Sequence, residues 1–219
     1  MKKIMFNDRY GLTEAVLERR KTMTRRVKRI DFCPDSREEQ IEKFCKCSAT
    51  DAKGRQVWLG FDNKGNRIAQ LISHYAIGEE VAVAQKYKDC WDIYQQRWEA
   101  KNDPSDWHTP DAILGDEVDI TKGWTNKMFV RADLMSHRIR ITGIRVERMQ
   151  DISDEDCLKE GLIAGEQEPR MFGFHLPKGT ILSFLTPRAA FAALIDKVSG
   201  RGTWERNPWV FVYEFELVK

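Results

Sequence analysis

The sequence predicts an α+β fold in which a curved, mostly antiparallel sheet forms a small β-barrel flanked by helices. Three observations support this reading. Strand signals come in runs joined by turns and are not in strand–helix–strand alternation. The C-terminal run Trp209, Phe211, Tyr213, Phe215 and Leu217 is apolar at every second residue, the period of a strand with one buried face. From Arg138 to Met149 the apolar phase switches from Ile139 and Ile141 to Ile144 and Val146, with Gly143 between them. A glycine bulge bending a strand around a barrel corner produces such a switch.

Taken in order, Asn7 is a capping residue for a first helix carrying Thr13, Val16 and Leu17 on one side. The helix ends near Arg20, where Lys-Thr-Met-Thr-Arg-Arg-Val alternates and brings in two β-branched threonines. Val57 to Phe61 and Arg67 to Ile72 read as a hairpin around Asp62-Asn63-Lys64-Gly65-Asn66. Val81 to Tyr87 is a further strand. Ser153 is placed to cap a two-turn helix closed by Gly161, with Glu160 at its end. Thr186 and Pro187 open a longer helix, whose Phe191, Leu194, Ile195 and Val198 fall at helical spacing before Gly200. Between these elements lie two insertions, at about 32–73 and 88–127. The second is acidic and rich in Trp, with a short helix expected from Trp91 to Trp98. It suits a lid, a binding loop or a locally packed decoration. The whole chain, 1–219, reads as one domain.

Hydrophobic residues make up 42% and charged residues 32% of the 219, which argues for a folded chain. The longest apolar run, Ala189 to Ile195, is far short of the roughly 20 residues a bilayer span needs. No apolar leader follows the N-terminal lysines, so a cytoplasmic location and no membrane partner are expected. The cysteines lack the Cys-x-x-Cys spacing of zinc sites and are expected to be free thiols, with no metal and no cofactor. The four histidines are scattered.

The net charge of +2 hides a marked asymmetry. From Glu18 to Ile30 seven bases face one acid, whereas from Lys88 to Asp119 nine acids face three bases. Basic strips of this kind are either solvated faces or collectors of phosphate. Arg20, Thr22, Arg25 and Arg26, with Arg138 and Arg140 from a second strip, are the candidate anion-binding residues. The same segment also contains a lysine and a threonine. Like charges nearby, and any burial, lower the pKa of Lys21, and a neutral lysine is able to take the proton of Thr24. Strict alternation puts Lys21 and Thr24 on opposite faces, so the pair requires a turn at the helix end.

The segment Arg20-Lys21-Thr22-Met23-Thr24-Arg25-Arg26, the entry Gly78-Glu79-Glu80-Val81, the block from Arg145 to Gly161 and the ending Asn207-Pro-Trp-Val-Phe-Val-Tyr-Glu-Phe-Glu216 together resemble the ASCH domain family, in particular its phage- and prophage-associated members. The resemblance covers half to two thirds of the chain and leaves out Phe32 to Ser73 and Lys88 to Lys127. It implies a PUA-like barrel with a basic cleft that binds RNA or a modified nucleoside or nucleotide. A small bacterial relative similar in the same motif hydrolyses N4-acetylcytidine with a lysine, a threonine and a glutamate. Carried over, these fall on Lys21, Thr24 and Glu160. Arg19 stands where the family commonly has glycine, and Ala82-Val-Ala-Gln85 replaces its usual Trp-Val-Arg-Glu. Three functions follow as expectations: nucleoside or RNA binding, amide hydrolysis of a modified nucleoside, and protein interaction through the Trp-rich insertion.

Overall fold

The computed structural model describes residues 1–89, 120–167, 169–177 and 179–218. In chain order the elements are β1 (Lys3–Ile4), α1 (Leu12–Leu17), β2 (Met23–Val27), β3 (Asp31–Phe32), β4 (Lys43–Thr50), β5 (Gln56–Phe61), β6 (Arg67–Ile72), β7 (Glu80–Val83), α2 (Ile120–Thr125), β8 (Arg138–Arg148), α3 (Asp154–Lys159), β9 (Ile163–Ala164), β10 (Phe172–His175), β11 (Ile181–Phe184), α4 (Pro187–Ser199), α5 (Thr203–Arg206) and β12 (Trp209–Leu217). Strands predominate and helices are few, as an α+β chain requires. The expected helix from Trp91 to Trp98 lies outside the described residues, as does most of the acidic insertion.

These elements fall into two compact units. One comprises Met1–Phe6, Glu80–Ile139 and Leu217–Lys219. In it β1 pairs in parallel with β7, Lys3 opposite Ala82 and Ile4 opposite Val83. Its core gathers Ala82, Ala84, Tyr87, Val130 and Met135. The Lys3 ammonium donates to the carbonyls of Met128 and Val130, so loop carbonyls without a strand partner are satisfied by a side chain.

The other unit comprises Asn7–Glu79 and Arg140–Glu216. Here β12 lies between β8 and β2. The β12–β2 pair is antiparallel and sets Tyr213 opposite Thr24, Val212 opposite Arg25 and Phe211 opposite Arg26. The hairpin of β5 and β6 forms over the expected residues, with the Asp62 carboxylate accepting the Lys64 and Asn66 backbone N–H groups in its turn. It joins β3 and β4 in a four-stranded sheet of order β3-β6-β5-β4, so the first insertion is ordered β structure. A three-stranded sheet, β11-β10-β9, completes the set. The closed barrel anticipated from the sequence is not found among the described residues; the sheets are open. The physical reason is visible at β2, which ends its sheet, while the next strand, β3, joins a different one.

The helix signals hold at their chemistry. The Ser153 hydroxyl accepts the Asp156 N–H and Thr186 that of Ala189. Gly161 takes φ +100° directly after α3. The first helix is shorter than expected: Asn7 caps a 3-10 turn, and Gly11, at φ +66°, starts α1 only at Leu12. At Gly143 the structure shows a close approach, since a Cβ there would lie 2.7 Å from the Glu214 Oε2 atom. The aromatics of β12 are core: Phe211 and Tyr213 stack at 5.7 Å, and Trp58 adds its ring at 6.2 Å from Phe211.

Candidate functional site

The end of α1 sets the site. After Leu17 the backbone turns through Arg19, whose φ of +63° lies in the left-handed region that favours glycine. The Lys21 N–H then returns to the Ala15 carbonyl at 2.8 Å, and the Thr22 N–H reaches the Lys159 carbonyl at 3.0 Å. Two backbone bonds thus tie the segment before β2 to both α1 and α3. The chain thus turns at the end of α1, just before Lys21.

Lys21 is 2% exposed and points at the end of α3. Its ammonium donates to Glu160 Oε2 at 2.6 Å and to the Glu160 backbone carbonyl at 2.7 Å. Gly161 makes this approach possible, because a Cβ at that position would sit 3.2 Å from the Lys21 Cβ and 3.3 Å from that of Ala15. Burial lowers the Lys21 pKa. The Glu160 carboxylate opposes the shift, and the charges of Arg26 and Arg25 add to it.

Glu160 is shared. Its other oxygen, Oε1, accepts from Arg25 Nη1 at 3.2 Å. The Arg25 side chain is fully buried and also donates to Glu147 at 2.5 Å and to Asp156 at 3.1 Å. Burial alone would lower the pKa of Arg25, but these carboxylates outweigh it and hold the guanidinium above its ordinary value. Arg145 donates in turn to Glu147 at 2.8 Å, and to Asp156 and Glu214. Lys21, Arg25 and Arg145 are therefore set among four carboxylates, those of Glu147, Asp156, Glu160 and Glu214. A group so fully compensated does not act as an open collector of phosphate.

The opposite face of β2 differs in character. Alternation puts Thr22, Thr24 and Arg26 there, beside Tyr213 and Phe211 of β12. Thr24 is 4% exposed. The Tyr213 hydroxyl accepts the His74 N–H at 3.0 Å and lies 3.4 Å from Ser73 Oγ, which donates to the Tyr75 carbonyl. This chain pins residues 73–75 over β12 and brings Tyr75 to 5.1 Å from Tyr213, ring to ring. Burial raises the Tyr75 hydroxyl to about 12 and lowers the pKa of Arg26, whose charge interacts with both tyrosines.

The structure thus brings Lys21, Arg25 and Glu160 into direct contact and seats Thr24 on the adjoining strand, on the face carrying Tyr213. Arg20 is partly exposed and paired with Glu18 at 2.6 Å. Arg140 pairs with Glu216 at 3.2 Å on exposed ground, and Arg138 lies 3.9 Å from Glu80 in the other unit. Neither belongs to the Lys21 cluster. Glu147, Asp156 and Glu214 were not singled out from the sequence. Two of them had a readable signal: Asp156 and Glu160 stand four apart at the end of one short helix, and Arg145 and Glu147 two apart on one strand. Among the described residues no group of His, Cys, Asp and Glu is arranged to hold a metal ion. No family model, no curated protein and no solved structure matches the chain.

Proposed function

We propose that the protein binds a modified nucleoside at Lys21, Thr24 and Glu160 and removes an acyl group from its exocyclic nitrogen. The observation that supports this reading is the buried 2.6 Å contact between the Lys21 ammonium and the Glu160 carboxylate, three residues before a buried threonine on the strand that follows. Burial lowers the Lys21 pKa and so favours the amine, the form able to accept a proton. In the reaction Thr24 Oγ attacks the acyl carbon and its proton passes to the Lys21 amine, with Glu160 holding the resulting ammonium. The C–N bond breaks, the nucleoside amine leaves with that proton, and water releases the carboxylate from Thr24.

A PUA-like architecture of the ASCH kind is part of the same proposal. Its support is the basic segment on β2, paired with the aromatic β12 and met by a short helix carrying Glu160. RNA binding through Arg25 and its neighbours is the less favoured use, since Arg25 and Arg145 are already committed to carboxylates.

Incubation with N4-acetylcytidine, followed by chromatography for cytidine, tests the reading. Wild type is expected to form cytidine, Thr24→Ala to form none while still binding the nucleoside, and Lys21→Ala to lose at least a hundredfold in rate. Full turnover by Lys21→Ala, or no cytidine from the wild type, refutes it.

A further inference from the structure

Beyond Val27 the chain leaves β2 and emerges at the surface. Val27 is 50% exposed, Lys28 and Arg29 are exposed, and Phe32 is 39% exposed. Lys28, Arg29 and Phe32 line a cavity of about 550 Å³ together with Ile30, Asp31 and Glu38. The electrostatics here are the reverse of those around Lys21. Among the described residues, neither Lys28 nor Arg29 makes an ion pair or a side-chain hydrogen bond. The acids are unequal. Glu38 is engaged by Arg148 at 3.1 Å and accepts the Trp209 backbone N–H at 3.4 Å, so its charge is compensated by Arg148. Asp31 is exposed and makes no ion pair among the described residues.

The cavity therefore presents two uncommitted cations, one aromatic ring open to a partner and one carboxylate acceptor. Each matches a part of the same kind of molecule. Cations suit a phosphate, an exposed aromatic ring suits the face of a base, and a carboxylate suits an exocyclic amino group. We propose that this cavity binds a nucleobase–phosphate unit, with Lys28 and Arg29 on the phosphate, Phe32 against the base and Asp31 accepting from an amino group on it. The unit comes from a mononucleotide or from a single strand. The site is separate from the Lys21 centre and does not rest on the amide-hydrolysis reading.

The test is calorimetric titration of the full chain at low salt with cytidine monophosphate, uridine monophosphate, inorganic phosphate and single-stranded hexacytidine. Cytidine monophosphate is expected to bind more tightly than inorganic phosphate, and more tightly than uridine monophosphate, which has a carbonyl where cytosine has its amino group. Lys28→Ala/Arg29→Ala is expected to weaken binding at least tenfold. Phe32→Ala is expected to weaken it about fivefold or more, the loss of one stacked base. Asp31→Asn is expected to remove the preference for cytidine. Tighter binding of hexacytidine than of the mononucleotide assigns the site to a strand, and equal binding to a free nucleotide. All the variants lie at the surface, and circular dichroism checks their folding. The proposal is overturned if no probe binds, if the double variant binds like wild type, or if inorganic phosphate binds as well as cytidine monophosphate. No turnover is involved, so binding lost in Lys28→Ala/Arg29→Ala is read apart from the deacetylation assay.

Discussion

Replacing Glu160 with glutamine probes the centre most directly. The substitution keeps shape and removes one charge from a carboxylate that is 6% exposed and bonded to two cations. Arg25 keeps Glu147 and Asp156, so it remains compensated. Lys21 keeps the Glu160 backbone carbonyl at 2.7 Å but loses the carboxylate at 2.6 Å. Removing one partner of a buried pair typically costs 3–5 kcal/mol. A ceiling comes from the escape open to Lys21, which is to lose its proton. From an ordinary lysine value near 10.4, being neutral at pH 7 costs about 1.36 × 3.4, or ~4.6 kcal/mol. With the carbonyl retained, a loss of about 3 kcal/mol is expected. Urea unfolding at pH 7 measures it, as a lower midpoint at unchanged slope. Lys21→Met completes a double-mutant cycle, in which Glu160→Gln is expected to cost at least about 1.5 kcal/mol less once the ammonium is gone. A Glu160→Gln protein within about 1 kcal/mol of wild type, or a cycle with no coupling, refutes the assignment of the pair as a tightly coupled buried contact.

Three further outcomes follow from the same geometry. Gly161→Ala is expected to destabilise by about 1–3 kcal/mol, because φ is +100° and the new methyl meets the Lys21 and Ala15 side chains; thermal unfolding reads it. Arg19→Gly is expected to stabilise by up to about 1 kcal/mol by relieving a left-handed φ of +63°, and no gain in melting temperature would contradict this. Tyr75, raised from 10.0 to about 12 in the fold, contributes stability that is fully present below pH 10 and lost as pH rises toward 12. Wild type is therefore expected to lose about 2.7 kcal/mol relative to Tyr75→Phe over that window, measured by denaturant unfolding at stepped pH.

Much of the local structure was legible in the residues. The hairpin of β5 and β6, the last strand and the caps of α3 and α4 each follow from a period of two, a turn or a capping hydroxyl. Such signals concern neighbours within a few positions. The shortfalls have the same origin. β1, β3 and β9 are two residues each, too short to show a period, and exist only through their partners. β4 is exposed almost throughout, so no apolar alternation marks it. Barrel closure depends on which strands meet at the edges, and no local pattern records that.

The candidate centre divides in the same way. Residue types and spacing along the chain were enough to bring Lys21, Thr24 and Glu160 into consideration, and to require a turn before β2. The sequence alone left open whether Arg25 faces solvent or three carboxylates, since Glu147, Asp156 and Glu160 come from a strand and a helix more than 120 positions away. Only the tertiary fold turned a basic run into two opposite environments, a buried and compensated cluster around Lys21 and an uncommitted pair of cations at Lys28 and Arg29. Charge along a chain is fixed by composition, but the work a charge can do depends on burial and on the distance to its counter-charge, and folding sets both.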